Sequence, residues 1–352
     1  MADLMTGRNR VRSSGIVASF NQSAYIEESV LSLAPQVDEL VVVDDCSEDD
    51  SVERVRSLGI SNVRVLPMTQ RSGVSRACNL AIESTDAEII VFQGGDDRSL
   101  PGRVERHIAD LLDREVMVSA SMPSIIDSRG LALTGTVAEE FATPAPSEDP
   151  LRRLVFDGNF ICAPTAAMRR ADYLDLGGYP VGIDLLQDHA LWLRALSVGR
   201  LAMSTQPFAE YRKHGTNTSR SYVGVDSPRR RRHAAELEYL ITSFIEQAPD
   251  DVLNRLSAAV GLDVFAKDTA SRLASRALLL LTHENRVVQR RGLNLLFRLV
   301  QESGSWESLA ALSVTPQLLE VLSQAVDHEG SGDVERALRS ASQLAKNMVA
   351  NR

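Results

Sequence analysis

The stretch Val91-Phe92-Gln93-Gly94-Gly95-Asp96-Asp97 decides how the rest of the chain reads. Ala87-Glu88-Ile89-Ile90 leads into it, so an apolar run of strand type ends in two glycines and two adjacent carboxylates. Arg98-Ser99-Leu100-Pro101-Gly102 follows, and a helical pattern begins near Arg103. An open α/β sheet places its ligand at the carboxyl ends of its strands, and glycine there lets a ligand approach the backbone. Two hard oxygen donors at such a place suit a divalent cation that also holds phosphate. The competing reading of the same residues is a turn with solvated acids.

Upstream, Gly15 to Phe20 predicts a first buried strand, and Ile26, Val30 and Leu33 predict a helix with Glu27 and Glu28 in its first turn. Leu40 to Val43 predicts a second strand that ends in Asp44-Asp45, with a helix from about Ser51 to Leu58. Val63 to Leu66 predicts a third strand and Gly73 to Ile82 another helix. This alternation argues for a parallel sheet with helices on its faces. Two strands of such a sheet end in adjacent aspartates, so both acidic pairs are expected to line one crevice. Downstream, helices are expected at Val104 to Leu112, Leu151 to Phe156 and Leu186 to Leu196. Strands are expected at Val116 to Ala120, Ile125-Ile126, Phe160 to Met168 and Phe208 to Arg212. Ala138 to Pro150, acidic and with three prolines, reads as a mobile loop.

The character changes near Ser227-Pro228, after which helix signals dominate, as in Leu237, Leu240, Ile241 and Phe244. The expected organisation is a disordered or extended N-terminus over 1–14, an α/β domain over 15–226 and a helical region over 227–352. The last is suited to packing, self-association or partner binding. A formal charge of −9 argues against a nucleic-acid binder. Cys46, Cys78 and Cys162 show neither a disulfide framework nor metal spacing, which points to a reducing cytosol. Met1 to Ser14 lacks the apolar core of a signal peptide, and no apolar run approaches the roughly 20 residues that span a bilayer. Work at a membrane would therefore be peripheral, at its inner face. Arg229 to Arg232 with His233 is either a contact for anionic lipid or a phosphorylated acceptor, or a solvated linker.

Six pieces in order resemble the family 2 inverting glycosyltransferases, whose catalytic domain has the GT-A fold, a Rossmann-like, mostly parallel sheet with flanking helices. Ile16 to Asn21 is similar to the family's first strand and turn, and Glu39 to Asp49 to its second-strand signature. Ser72 to Ile82 resembles its Gly-to-Asn helix, and Gln93 to Asp97 takes the place of its Asp-x-Asp-Asp motif. Gly177-Gly178-Tyr179 with Gln187-Asp188-His189-Ala190-Leu191-Trp192-Leu193-Arg194 resembles its Gly-Gly-aromatic and Glu-Asp-x-x-Leu-x-x-Arg elements. Tyr211-Arg212-Lys213-His214, with Asn217 and Ser219, resembles its closing segment. The chain departs from the pattern at Gly94 in place of the first metal-motif aspartate, at Cys78 in place of an arginine, and at Gln187 in place of the common glutamate.

The resemblance implies attack of an acceptor hydroxyl on the anomeric carbon of a nucleoside-diphosphate sugar, UDP- or dTDP-linked, with Mn²⁺ or Mg²⁺ on the leaving diphosphate. The acceptor would be a glycan, a lipid-linked molecule or a protein. It implies Asp97 as first metal ligand, Asp96 on the ribose-sugar side or on the ion, and His214 as a further ligand or diphosphate contact. An exposed loop histidine is the alternative for His214. Asp45 would accept from the imide N–H of uracil or thymine; the alternative for the Asp44-Asp45 pair is an N-cap. Ala18, Ser19 and Phe20 sit where the first strand meets the base, with Phe20 stacking on it or buried in the core. Arg71 and Arg76 are either diphosphate or base contacts or a solvated face. Asp188 is the implied general base, and a capping acid otherwise. Its place at a helix start lowers its pKa, so burial must offset that. Two other classes compete: a cyclic-dinucleotide synthase, suggested by Gly-Gly-Asp-Asp but opposed by Pro101-Gly102 and the following helix, and a non-catalytic sugar-binding or scaffold protein, suggested by Gly94 and Gln187.

Overall fold

The computed structural model describes residues 10–133, 141, 148–215, 217, 227–262, 267–303 and 316–327. The expected apolar runs form β1 (Ser13–Ser19), β2 (Glu39–Asp44), β3 (Val63–Pro67) and β4 (Ile89–Gly94). Ser13 and Ser14 thus belong to the sheet, not to the N-terminal tail expected over 1–14; the Ser13 backbone N–H donates to Asp38 at 2.9 Å. Farther along come β5 (Arg98–Ser99), β6 (Val116–Ser121), β7 (Ser124–Ile126), β8 (Ala167–Arg169), β9 (Arg200–Ser204) and β10 (Ala209–Arg212).

Seven strands make the main sheet, in the order β3-β2-β1-β4-β8-β6-β9. β3, β2, β1 and β4 are parallel, and β8 runs antiparallel to both β4 and β6. The chain winds outward from β1 to β3, then returns to the other side of β1 as β4. Sheets of this kind bind ligands at such a reversal, beyond the carboxyl ends of the strands, here β1 and β4. Register sets Ala18 opposite Gly94 and Ser19 opposite Asp44, so the two acidic pairs flank the end of β1. A second sheet, β5-β10-β7, carries Arg212 to the same end.

The helices of this region are α1 (Ile26–Leu33), α2 (Ser51–Ser57), α3 (Val74–Glu83), α4 (Arg103–Leu111), α5 (Pro150–Phe156), α6 (Arg170–Asp175) and α7 (Gln187–Val198). On one side of the sheet Val17, Val42 and Val91 pack with Ile26, Val30 and Leu33 of α1 and Val104 of α4. Phe92 of β4 stacks on Tyr179 at 5.8 Å and meets the edge of Trp192 of α7 at 6.1 Å, which fixes α7 to the strand that carries the acids. The apolar run Phe160 to Met168 is a strand only at its end. Ala163–Thr165 is a turn of 3-10 helix, because Pro164 has no N–H to give a ladder. Most of the expected loop over 138–150 lies outside the described residues.

The chain forms two compact units, one of Met1–Pro146 with Asn159–Arg230 and the other of Ser147–Gly158 with Arg231–Arg352. The second unit holds α5 and most of α8 (Pro228–Gln247), followed by α9 (Asp250–Ala259), α10 (Thr269–Leu281), α11 (Arg286–Ser303) and α12 (Pro316–Asp327). Within it, Asp149 caps α5 by accepting from Leu151 N at 2.9 Å and takes a forked pair from Arg255 at 2.7 and 2.6 Å. Among the described residues no helix is long and apolar enough to cross a membrane.

Trp192 is fully buried against Phe92. Replacing it by alanine is expected to lower stability by about 3–5 kcal/mol, read as a fall in the urea midpoint.

Candidate functional site

The loops that leave β1 and β2 are bound to each other. The Ser47 hydroxyl accepts from Asn21 N at 2.8 Å, the Asn21 side chain from Glu48 N at 2.9 Å and the Asp49 carboxylate from Ser23 N at 3.0 Å. Asp44 accepts from the backbone N–H and hydroxyl of Ser47, so it holds the turn. Neither Asp44 nor Asp45 caps the following helix; Asp50 stands at that position. Asp45 is buried, and its oxygens accept from Ser72 N at 2.7 Å and Gly73 N at 2.9 Å. A carboxylate has about four lone-pair positions, so each oxygen keeps capacity for a ligand N–H. Phe20 is half-buried rather than in the core, with the Arg71 guanidinium 3.9 Å from its ring centre. Arg76 is exposed on α3.

Gly94 shapes the centre of the site. A Cβ added there would lie 2.5 Å from Asp97 Oδ2 and 2.7 Å from Asp96 Oδ1, so in this arrangement position 94 admits no side chain. The space that the family's first aspartate would take is filled by its two neighbours' carboxylates. Asp97 is 2 % exposed, and its Oδ1 accepts from Arg212 N at 2.9 Å. Burial, and next the charge of Asp96, pushes the Asp97 carboxyl well above the usual range, against the pull of the Arg212 N–H and the positive charges of Arg103 and Arg212. The Arg212 side chain donates to Asp96 O at 2.7 Å and Glu28 at 2.6 Å, and its guanidinium lies 4.8 Å from the Tyr25 ring centre. His214 is buried, not an exposed loop histidine. Its Nε2 is 2.7 Å from Asp96 Oδ2, and its ring lies 4.9 Å from that of Tyr25. Asn217 donates to the same Asp96 oxygen at 3.2 Å and to Arg212 O at 2.8 Å. Ser219 and Arg220 lie outside the described residues.

Among the described residues Asp96 Oδ1 and Asp97 Oδ2 take no hydrogen bond, and both face Gly94. Among the described residues no cluster of three or more His, Cys, Asp or Glu forms a metal cage. Two carboxylate oxygens do fit a divalent ion that takes its remaining ligands from a diphosphate and water, the usual arrangement for Mg²⁺ at phosphate sites.

Asp188 is half-buried in the first turn of α7, behind Gln187. Its Oδ1 accepts from His189 N at 2.8 Å and its Oδ2 from Asn159 Nδ2 at 2.9 Å. Burial raises its pKa to about 6 against the pull of these donors, the offset expected for an acid at a helix start. The segment before α7 is tied to α3 and the glycine that precedes it. The Ser75 hydroxyl donates to Ile183 O at 2.7 Å, and a Cβ on Gly73, which has φ +86°, would meet Asp184 Oδ1 at 2.6 Å. Backbone bonds link the rest: Asp45 N donates to Ser19 O at 2.9 Å and Gly95 N to Ala18 O at 3.0 Å. Ala18, Ser19 and Phe20 thus sit between Asp45 and the Asp96-Asp97 turn. From the sequence Asn159, with Ala163-Pro164, is expected to border the acceptor site, whereas the buried Arg103 has no assigned role.

Residues 14–177 match the family described as Glycosyl transferase family 2. The chain carries a family 2 glycosyltransferase domain of GT-A type. An uncharacterized protein of Mycobacterium tuberculosis is 31% identical over 195 residues, 51% of this chain and 60% of that protein. The poly(ribitol-phosphate) beta-N-acetylglucosaminyltransferase TarS of Staphylococcus aureus is 24% identical over 261 residues, 69% of this chain and 43% of TarS. The chain therefore spans less than two thirds of the length of either relative. In structure, the family 2 domain and the helices after it resemble TarS 1-349 in complex with UDP-GlcNAc, with a TM-score of 0.56, 21% identity and coverage of 94% of this chain and 92% of that one. The mannosyltransferase PcManGT of Pyrobaculum calidifontis, in complex with GDP-Man and Mn²⁺, gives 0.51 at 17% identity, covering 95% and 86%.

The raised pKa of Asp188 fixes a sign. The folded protein binds more protons than the unfolded chain between about pH 4 and 6, so this group's contribution to stability falls as pH rises through that window and is smallest above it. Asp188→Asn removes the effect. Relative to the variant, the wild-type urea midpoint is expected to drop between pH 4 and pH 6 and then level off.

Proposed function

We propose that the protein is an inverting glycosyltransferase that moves a sugar from a nucleoside-diphosphate donor to an acceptor hydroxyl. The observation that carries this reading is Asp188: a carboxylate set at two points, with a pKa of about 6, is ionised at neutral pH and still basic enough to take the hydroxyl proton as the new bond forms. In the family 2 setting, Asp45 accepts the imide N–H of a uracil or thymine ring, and Phe20 with Arg71 gives the base a flat, positively charged neighbour. Asp96 and Asp97 would hold Mn²⁺ or Mg²⁺ by the two oxygens at Gly94, with His214 orienting Asp96 and standing beside it as a further ligand or diphosphate contact. A bound divalent cation supplies charge neutralisation on the departing diphosphate. Arg212 holds both aspartates in place through its backbone N–H and its guanidinium.

UDP-GlcNAc in the TarS complex favours UDP over dTDP as the donor nucleotide. The poly(ribitol-phosphate) acceptor named for TarS favours a glycopolymer over a protein or a simple glycan. A lipid-linked acceptor would be met at the inner face of a membrane, from its surface. Catalysis is assigned to the unit that contains residues 15–146 and 159–226. The helices after 227 serve packing or self-association.

Two experiments test the reading. With Mn²⁺ present, purified protein is expected to hydrolyse UDP-GlcNAc slowly, and Asp188→Asn to lower that rate by at least 100-fold, within the range general-base catalysis supplies, without loss of UDP binding by calorimetry. An undiminished rate would remove Asp188 from the chemistry. Gly94→Ala is expected to weaken Mn²⁺-dependent UDP binding at least tenfold, about 1.4 kcal/mol, because the added methyl takes the space between the two free oxygens. Equal affinity would show that the ion is held elsewhere.

A further inference from the structure

We propose that Asn159 is a positioning residue for Asp188, holding one carboxylate oxygen so that the base presents a fixed lone pair to the acceptor hydroxyl. The inference rests on the assignment of Asp188 as base and goes beyond it. The Asn159 side chain is fixed at both ends. Its Oδ1 accepts from Ile161 N at 3.0 Å, which orients the amide, and its Nδ2 then donates to Asp188 Oδ2 at 2.9 Å. Turning the amide over would set an NH₂ against the Ile161 N–H and a carbonyl oxygen against a carboxylate, so the network admits one orientation. The other donors to Asp188 are backbone N–H groups, those of His189 and of Asp188 itself. Asn159 is therefore the contact that a side-chain change can alter.

A carboxylate held at one oxygen by the helix and at the other by an amide cannot swing about its Cβ–Cγ bond. Proton transfer needs hydrogen-bond reach in the correct direction, and small misplacements lower the rate strongly. All these donors favour the ionised form, opposing the burial that raises the pKa of Asp188. No charged side chain contributes to that rise. The titratable neighbours are His189, next on α7, and Tyr179, whose burial keeps its hydroxyl protonated far above neutral pH. Gln187 and Trp192 on the same helix carry no charge. Losing the Asn159 donor should thus raise the proton affinity of Asp188 as well as free its rotation. Asn159 is also the first residue of its unit after the excursion through 147–158, placed by a turn at Gly158 with φ +104°.

The test uses full-length protein with UDP-GlcNAc and Mn²⁺ across pH 5 to 9, together with urea unfolding over the same range. For Asn159→Ala the acid limb of kcat/KM is expected to move upward by about one pH unit, a tenfold change in proton affinity. kcat should fall about tenfold with KM for the donor unchanged, and Asn159→Asp should move the limb farther. The stability difference between each variant and its Asp188→Asn double should shift its midpoint in the same direction. An acid limb and stability midpoint that stay in place while rate or stability falls would show a merely structural asparagine and overturn the proposal. Activity that survives Asp188→Asn would instead defeat the assignment of the base. If hydrolysis is too slow to follow, the unfolding midpoints decide between the two roles.

Discussion

Asp97 is a carboxylate almost wholly removed from water with a second carboxylate next to it, and the polar groups at this end of the sheet are arranged around that fact. An isolated charge there would be costly, so it is met from two sides. Arg212 gives it a backbone N–H and a nearby positive charge, and Arg103 gives a second charge from beneath the strand. Arg103 is itself fully buried, with its pKa lowered to about 10, and donates to Phe92 O at 2.6 Å, Ser99 at 2.9 Å and Gln93 at 3.2 Å. Those three residues bracket the Gly94 to Asp97 turn, so one guanidinium grips both of its ends. Its Nε donates to His107 Nε2 at 3.3 Å. Burial keeps that imidazole neutral, which leaves its Nδ1–H for Ser119, and Ser119 in turn donates to Asp110.

The parts of the fold that the sequence displays are those whose physics is local. β1, β2 and β4 lie inside the sheet, buried along most of their length, and their central residues read as continuous apolar runs for that reason. The helices of the first half carried apolar spacing, and α1, α2 and α4 first-turn acids as well. β9 was invisible because Arg200-Leu201-Ala202-Met203-Ser204 is a half-exposed edge strand without alternation, and β5 because two residues hold no period. Phe160 to Met168 misled by composition alone, since its proline stands where a ladder bond would be needed.

The site divides the same way. Its aspartates announce themselves by pairing at strand ends. The groups that hold them do not, because Arg212 finds Asp96 and Glu28 at separations of 116 and 184 residues and Asn159 finds Asp188 across 29. A trace of Arg103 was present: Arg103 and His107 sit one position before Val104 and Ile108, beside the inward stripe of α4. Gly94, which as a letter looks like a lost ligand, is in space the absence of a side chain that two carboxylates require.

Residues 147–158 leave the α/β unit, lay Leu151, Leu154, Val155 and Phe156 into the helical one, and return. Neither half is thus a continuous piece of polypeptide. A gene split at the visible change of composition would strand four apolar side chains in water and take away the helices that bury them, whereas replacing 147–158 by a short polar bridge would let the α/β half be made alone.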